Sequence, residues 1–265
     1  MSFRHALATV ALGPVLLAQG KRVRRTVPTL PEPAGEREGV IGSGPDLRLL
    51  VLGDSAAAGV GADTQEQALA GQLAVALAPT FRLQWKLLAF TGATTRDILR
   101  RLAQESATGF DVVVTSLGVN DVTRRLPLDR WRRQQLALID LLRERCGAAH
   151  IVLSGLPPMH RFPALPQPLR WYVGSRARDF NRVLAEVAAS RPGCEFLALG
   201  HEMMDISAMA SDGFHPGPPI YALWAREAAK RIQQQKETTM TPTLTSFAAP
   251  RGGAASLGAA RRDAP

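Results

Sequence analysis

Three short stretches hold the residue types that acyl transfer needs: Gly53-Asp54-Ser55, Gly118-Val119-Asn120-Asp121 and Asp212-Gly213-Phe214-His215. Ser55 offers a hydroxyl nucleophile, which must be exposed, rigidly held and close to a base. Gly53 lets the chain bend before it, and Ala56-Ala57-Ala58-Gly59 after it has small side chains that leave room for a substrate. Asp212 lies three residues before His215, and a single loop turn brings such a carboxylate to the imidazole, orienting it and supporting its charged form. His215 can then take the proton of Ser55 and return it to a leaving group. Asn120 supplies a side-chain amide for a developing oxyanion, and Gly118 allows close backbone approach. Gly92, in Thr91-Gly92-Ala93, is a weaker signal whose functional reading is a backbone N–H donor to the same oxygen. Each feature also has a plain structural reading: a capping Ser, a hydrogen-bonded Asn turn, a Gly that starts a helix, a lone loop His. His5, His150, His160 and His201 have no comparable company and receive no catalytic role.

These loops need a frame that gathers them. Apolar runs at 47–52, 81–90, 111–117, 149–154 and 195–199 read as strands, the clearest being the β-branched run at 111–117. Helical spacing recurs at 65–77, 94–102, 129–145, 174–189 and 218–235. Five alternations of strand and helix predict a parallel sheet covered by helices on both faces. Ligands bind such sheets beyond the carboxyl ends of the strands. Gly53-Asp54-Ser55, Thr91-Gly92 and Gly118-Val119-Asn120-Asp121 follow the first three strands, so the chemistry gathers at one edge.

With Ser55, Asn120 and Asp212-x-x-His215 in this order on one sheet edge, the sequence resembles the SGNH or GDSL hydrolase family. The likeness runs over roughly residues 47–235 and includes all four family blocks: Gly-Asp-Ser with Gly59, the lone Gly92, Gly118-x-Asn120-Asp121, and Asp212-x-x-His215. It implies a flavodoxin-like three-layer α/β/α fold, here with a five-stranded parallel sheet. It also implies a Ser55/Asp212/His215 triad, oxyanion donors from the Ser55 N–H, the Gly92 N–H and the Asn120 side chain, and no metal or organic cofactor. The Gly-x-Ser-x-Gly elbow of ordinary α/β-hydrolases is missing.

The expected activity is hydrolysis of carboxylic esters, with a small-molecule or lipid ester as substrate. Leu156, Met159, Phe162 and Leu165, in the Pro-rich stretch 155–166, together with Trp171, either line an apolar acyl pocket or pack their loop onto the body. The prolines favour a rigid wall over a mobile lid. Arg161 and Arg170 are read as facing water. Two rival functions stay open. A carbohydrate or peptidoglycan O-acetylesterase would need a polar cleft and export. An inactive membrane-surface binding protein on the same fold is disfavoured by the intact Ser55, Asp212 and His215.

Composition bounds the rest. Hydrophobic content of 46% and charged content of 21% suit a globular domain, placed at 41–235 between atypical ends at 1–40 and 236–265. The formal charge of +9 is uneven: residues 41–235 carry 22 Lys and Arg against 18 acids, a net of +4. Arg124, Arg125, Arg130, Arg132 and Arg133 cluster without interleaved aromatics and read as a solvated helix start, so no nucleic-acid partner is expected. Cys146 and Cys194 form no CxxC pair and are read as reduced, partly buried thiols.

Residues 6–18 are mostly apolar and are followed by the basic run at 21–25. Such a stretch of about 13 residues is short for a bilayer span, the basic flank opposes export, and no Ala-x-Ala cleavage site follows. The preferred reading is a membrane-surface helix, with peripheral contact through residues 4–25 and anionic lipids. An uncleaved anchor is the second choice and a cleaved signal the third; the expected location is the cytoplasm or the inner membrane face. Residues 26–44 read as a Pro- and Gly-rich linker, and 236–265 as a disordered tail.

Overall fold

The structure, a computed structural model, describes residues 3–104, 109–200 and 205–240. Among them, six strands form one sheet: β1 (Glu38–Ile41), β2 (Asp46–Gly53), β3 (Arg82–Ala89), β4 (Val112–Ser116), β5 (His150–Ser154) and β6 (Cys194–Leu197). Their spatial order is β1-β3-β2-β4-β5-β6. All neighbours are parallel except β1, which runs antiparallel to β3. The register sets Gly53 level with Ala89 and Ser116, so β2, β3 and β4 end on one line. The loops that leave them start from a common edge.

Alternation along the strands builds two core layers, because successive side chains point to opposite faces. Leu50 and Leu52 of β2, Val113 of β4 and Ile151 and Leu153 of β5 face one side. There they meet α4 (Thr95–Gln104), α6 (Leu128–Cys146) and α7 (Leu169–Ala189), with Trp131 and Phe180 at a ring distance of 4.5 Å. Leu49 and Val51, Val112 and Val114, and Val152 face the other side, against α3 (Leu69–Leu77) and α8 (Pro218–Met240). Complete burial of each such side chain contributes about 1.5–3 kcal/mol. The architecture is the flavodoxin-like α/β/α sandwich expected from the sequence.

Several boundaries differ from expectation; among them, the run expected as one helix over 65–77 is a 3₁₀ turn at Gln65–Gln67 followed by α3. The sheet has six strands rather than five, because β1 forms inside the stretch read as linker. β1 is a four-residue edge strand whose Val40 and Ile41 are exposed, so it carries no buried apolar pattern. Its backbone pairing with β3 holds it, reinforced by the Leu87 N–H donating to Arg37 O at 2.7 Å. Helix α7 begins at Leu169 rather than 174, since Pro166 and Pro168 lie ahead of the helix, where proline is tolerated. Helix α8 runs on to Met240; the rest of the expected tail, 241–265, lies outside the described residues.

The N-terminal segment is a single helix, α1 (Phe3–Thr26), which continues through the basic run. Leu16 is buried in the core layer beside α7, and Leu12 and Val23 pack against the same layer. Gln19 clamps α1 to the start of α7: its Nε2 donates to Gln167 O at 2.7 Å and its Oε1 accepts from the Leu169 N–H at 3.1 Å. That N–H has no partner within its own helix. No helix among the described residues is long and apolar enough to cross a membrane. Cys146 and Cys194 are free thiols, both pushed up in pKa by burial.

Candidate active site

The turn after β2 is forced by close packing. A Cβ at Gly53 would stand 2.3 Å from Ser116 O and 2.7 Å from the Ala57 Cβ, so only glycine fits. The Asp54 N–H donates to Ser116 O at 3.0 Å, and the Asp54 carboxylate caps α2 (Ser55–Ala58) by accepting the Ala56 N–H at 3.1 Å. Ser55 is therefore the first residue of a one-turn helix, where a backbone N–H has no intrahelical acceptor. Gly59 ends the turn at φ 92°, tight against Ala68 and Pro33. Ala57 and Ala58 are fully buried under the turn, and only Ala56 lines a cavity. The expectation that all the small residues there clear space for substrate is corrected: two of the alanines fill core.

His215 comes from the loop before α8. Its Nε2 lies 3.0 Å from Ser55 Oγ, and its Nδ1 lies 2.5 Å from Asp212 Oδ2. The second oxygen of Asp212 accepts two backbone N–H groups, from Phe214 and His215, each at 2.9 Å. Burial opposes ionisation of Asp212, but His215 and these N–H donors outweigh it and hold the carboxyl below its ordinary value. The loop is braced from outside. The Ala210 N–H donates to His215 O, the Ala164 N–H donates to Gly213 O, and Phe214 packs edge-on against Phe162 at 5.1 Å.

The other two blocks meet beside this pair. Gly118, at φ 127°, opens α5 (Val119–Thr123), and a Cβ there would press on Leu156 and the Trp131 ring. Asn120 Nδ2 donates to Ala93 O at 3.0 Å, which uses one of its two N–H groups and ties α5 to the Thr91-Gly92 turn. Gly92 sits at φ 79°, and its carbonyl accepts from Arg124 at 3.0 Å.

Two supports of this corner were missed in the sequence. Buried Asp121 accepts the Thr95 N–H at 3.1 Å and the Thr95 hydroxyl at 2.9 Å, and that hydroxyl accepts Trp131 Nε1 and Gln135 Nε2. Glu32, in the presumed linker, accepts the Thr91 N–H at 2.9 Å and the Thr91 hydroxyl at 2.6 Å, and pairs with Arg37 at 2.8 Å. Burial works against its charge, yet the Thr91 and Arg37 donors keep its carboxyl below the ordinary range. An acid in a Pro-rich stretch carries no local sign of such a contact.

The four candidate pocket residues are all buried in the core layer, so they pack and line at once. Leu156 and Phe162 face a small pocket of about 30 Å³ beside Ser55. Met159 and Leu165 face a cleft of about 580 Å³ that also reaches Asn120, Asp212 and His215. Trp171, 43% exposed, stands on the outside of α7 and lines neither. Arg170 does not simply face water: it donates to the carbonyls of Leu165 and Pro163 and staples their loop. His150 pairs with Glu195 at 2.9 Å at the start of β5, the sheet edge opposite the site, and His201 lies outside the described residues.

The burial of Asp54 has an electrostatic cost to stability. The residue is buried beside Ser55, and desolvation, joined by repulsion from Asp121, pushes its carboxyl up to about 7. Its folded value lies above its unfolded value, so its burial costs nothing at low pH. The cost grows as pH rises through the ordinary carboxylate range and is complete above about 7. Asp54→Asn keeps the acceptor for the Ala56 N–H. It is expected to raise unfolding free energy by about 2–4 kcal/mol at pH 8 and by little at pH 4. Urea unfolding at the two pH values checks this, and equal shifts at both would contradict it.

Comparison with known proteins identifies the family. A sequence model of the GDSL-like Lipase/Acylhydrolase family matches residues 51–223. The GDSL-like esterase Rv1075c of Mycobacterium tuberculosis (strain ATCC 25618 / H37Rv) is 26% identical over 233 residues, covering 80% of this chain and 73% of that protein. The crystal structure of TesA superimposes with a TM-score of 0.55 at 26% identity, covering 71% of this chain and 98% of its own. The psychrotrophic esterase EstA from Pseudoalteromonas sp., solved inhibited by monoethylphosphonate, has a TM-score of 0.55 at 20% identity, with coverage of 72% and 98%. The family match spans more than half of the chain and includes the loops that carry Ser55, Gly92, Asn120, Asp212 and His215; the chain belongs to the GDSL-like lipase/acylhydrolase family and is an ester hydrolase.

Proposed function

We propose that the protein cleaves carboxylic esters through an acyl-enzyme on Ser55. The observation that carries this reading is the unbroken relay from Ser55 Oγ to His215 Nε2 and from His215 Nδ1 to Asp212 Oδ2. His215 Nε2 takes the Ser55 proton as Oγ bonds to the ester carbonyl carbon. The oxyanion is received by the second Asn120 N–H and by the backbone N–H groups of Gly92 and Ser55. Collapse breaks the bond to the alcohol oxygen, which leaves with the proton from His215. His215 then deprotonates a water that attacks the acyl carbon, and the acid is released with Ser55 restored. Asp212 stays ionised throughout and holds the imidazole in the tautomer that can accept at Nε2.

A short-acyl reading, the O-acetylesterase, draws on one observation: the cavity of about 30 Å³ beside Ser55 has room for little more than a methyl group. The cleft of about 580 Å³ favours longer, apolar esters. Hydrolysis of p-nitrophenyl acetate, butyrate, octanoate and palmitate by the wild-type chain decides between them. Release of nitrophenol from the longer esters is expected. A sharp preference for acetate would favour the acetylesterase, and no hydrolysis of any ester would favour the inactive binding protein.

A further inference from the structure

We propose that helix α1 is the outer wall of the acyl-chain cleft and sets the chain length the enzyme accepts; this rests on the ester-hydrolase reading above. The family match begins at residue 51, so α1 lies outside it. Yet α1 lines the same cleft as Asn120 and His215, through Leu16, Leu17, Gly20 and Val23. Leu165, Leu169 and Val173 line the inner side, from the Pro-rich loop and α7. The floor is therefore built by the catalytic domain and the roof by the N-terminal helix.

Three features make α1 a fixed wall rather than a loose appendage. Leu16 is buried in the core layer shared with α7. Gln19 makes two hydrogen bonds, to Gln167 O and from the Leu169 N–H. The chain leaving the helix stays at the site, because Val27 and Leu30 line the cleft and Glu32 then holds Thr91 beside Gly92. The occupant follows from continuity with the reacting groups. A carbonyl held between Ser55 and Asn120 has two spaces beside it: a pocket of about 30 Å³, too small for a long chain, and the cleft, whose apolar side chains are joined by Lys21, Arg24, Arg124 and Arg125. An extended acyl chain must lie along the larger cleft, under α1.

Gly20 gives a clean probe. It lines the cleft, and a Cβ built on it has no heavy atom within 4 Å. A large side chain there enters open space, and replacing a helical glycine favours the helix. Gly20→Trp should shorten the cleft without disturbing the fold or the triad. Each methylene denied its apolar contact is worth about fourfold in kcat/KM. We expect kcat/KM for p-nitrophenyl palmitate to fall at least about tenfold, with acetate and butyrate within about twofold of wild type. Leu17→Asp, on the half-exposed lip, should act in the same direction. Long-chain rates unchanged in both variants would overturn the inference while leaving the ester-hydrolase reading intact. Equal losses on acetate and palmitate would also overturn it, since they would mean that α1 supports the triad rather than the chain. A wild type inactive on every ester would instead sink the reading on which the inference rests.

Discussion

Asp212→Asn is expected to lower kcat by about 10⁴-fold in a protein that remains folded. The hydrogen bonds around Asp212 explain both halves of that statement. One carboxylate oxygen accepts the N–H groups of Phe214 and His215, and the other faces His215 Nδ1. The amide of Asn has a single acceptor oxygen, which stays with the two backbone donors. Its NH₂ then points at His215 Nδ1 and forces that nitrogen to accept. The ring proton moves to Nε2, the nitrogen 3.0 Å from Ser55 Oγ, which can no longer take the Ser55 proton. The loop geometry survives because its backbone bonds do. Steady-state rates and thermal unfolding of the variant check the two halves separately. A folded Asp212→Asn with near-wild-type turnover would remove Asp212 from the mechanism.

Ser55→Ala should have the larger effect, a loss of the order of 10⁶-fold in kcat where chemistry limits turnover, with residual activity from oxyanion stabilisation and binding alone. The side chain is small and sits at the first position of α2, where Ala is a good helix former. The Asp54 cap acts on the Ala56 N–H and does not involve the Ser55 hydroxyl. Stability should therefore change little, and substrate KM should stay within a few-fold of wild type. The two effects will not add: once Ser55 is gone, Asp212→Asn has almost nothing left to remove, because the residues act as one unit. A double variant measured beside the two single ones tests that coupling.

Much of this site was legible in the sequence because its parts are local. Gly53-Asp54-Ser55 announces itself by residue type, and the buried strands before Ser55 and Asn120 are continuous apolar runs. Asp212 and His215 are three residues apart, so their contact needs only one turn. What escaped is non-local or carries no periodic signal. β1 is a short exposed edge strand held by backbone pairing and an exposed Glu38–Lys86 ion pair. Glu32 reaches Thr91 across 59 positions, and Asp121 reaches Thr95 across 26. Helix α1 combines an internal Pro14, an apolar half and a basic half. That pattern suits a membrane surface as well as the wall of a cleft; the burial of Leu16 and the Gln19 clamp are the observations that support the second reading. The resemblance to a known family strengthened the oxyanion reading of Gly92 and Asn120; their residue types alone are equally at home in ordinary turns.

The most direct test of the central claim is mass spectrometry of the intact chain after treatment with a p-nitrophenyl alkylphosphonate. A serine nucleophile displaces nitrophenol and keeps the phosphonyl group, so the wild type should gain one adduct, mapped to Ser55, as esterase activity disappears. Ser55→Ala should gain none. An adduct on another residue with activity lost, or full esterase activity in Ser55→Ala, would contradict an acyl-enzyme on Ser55.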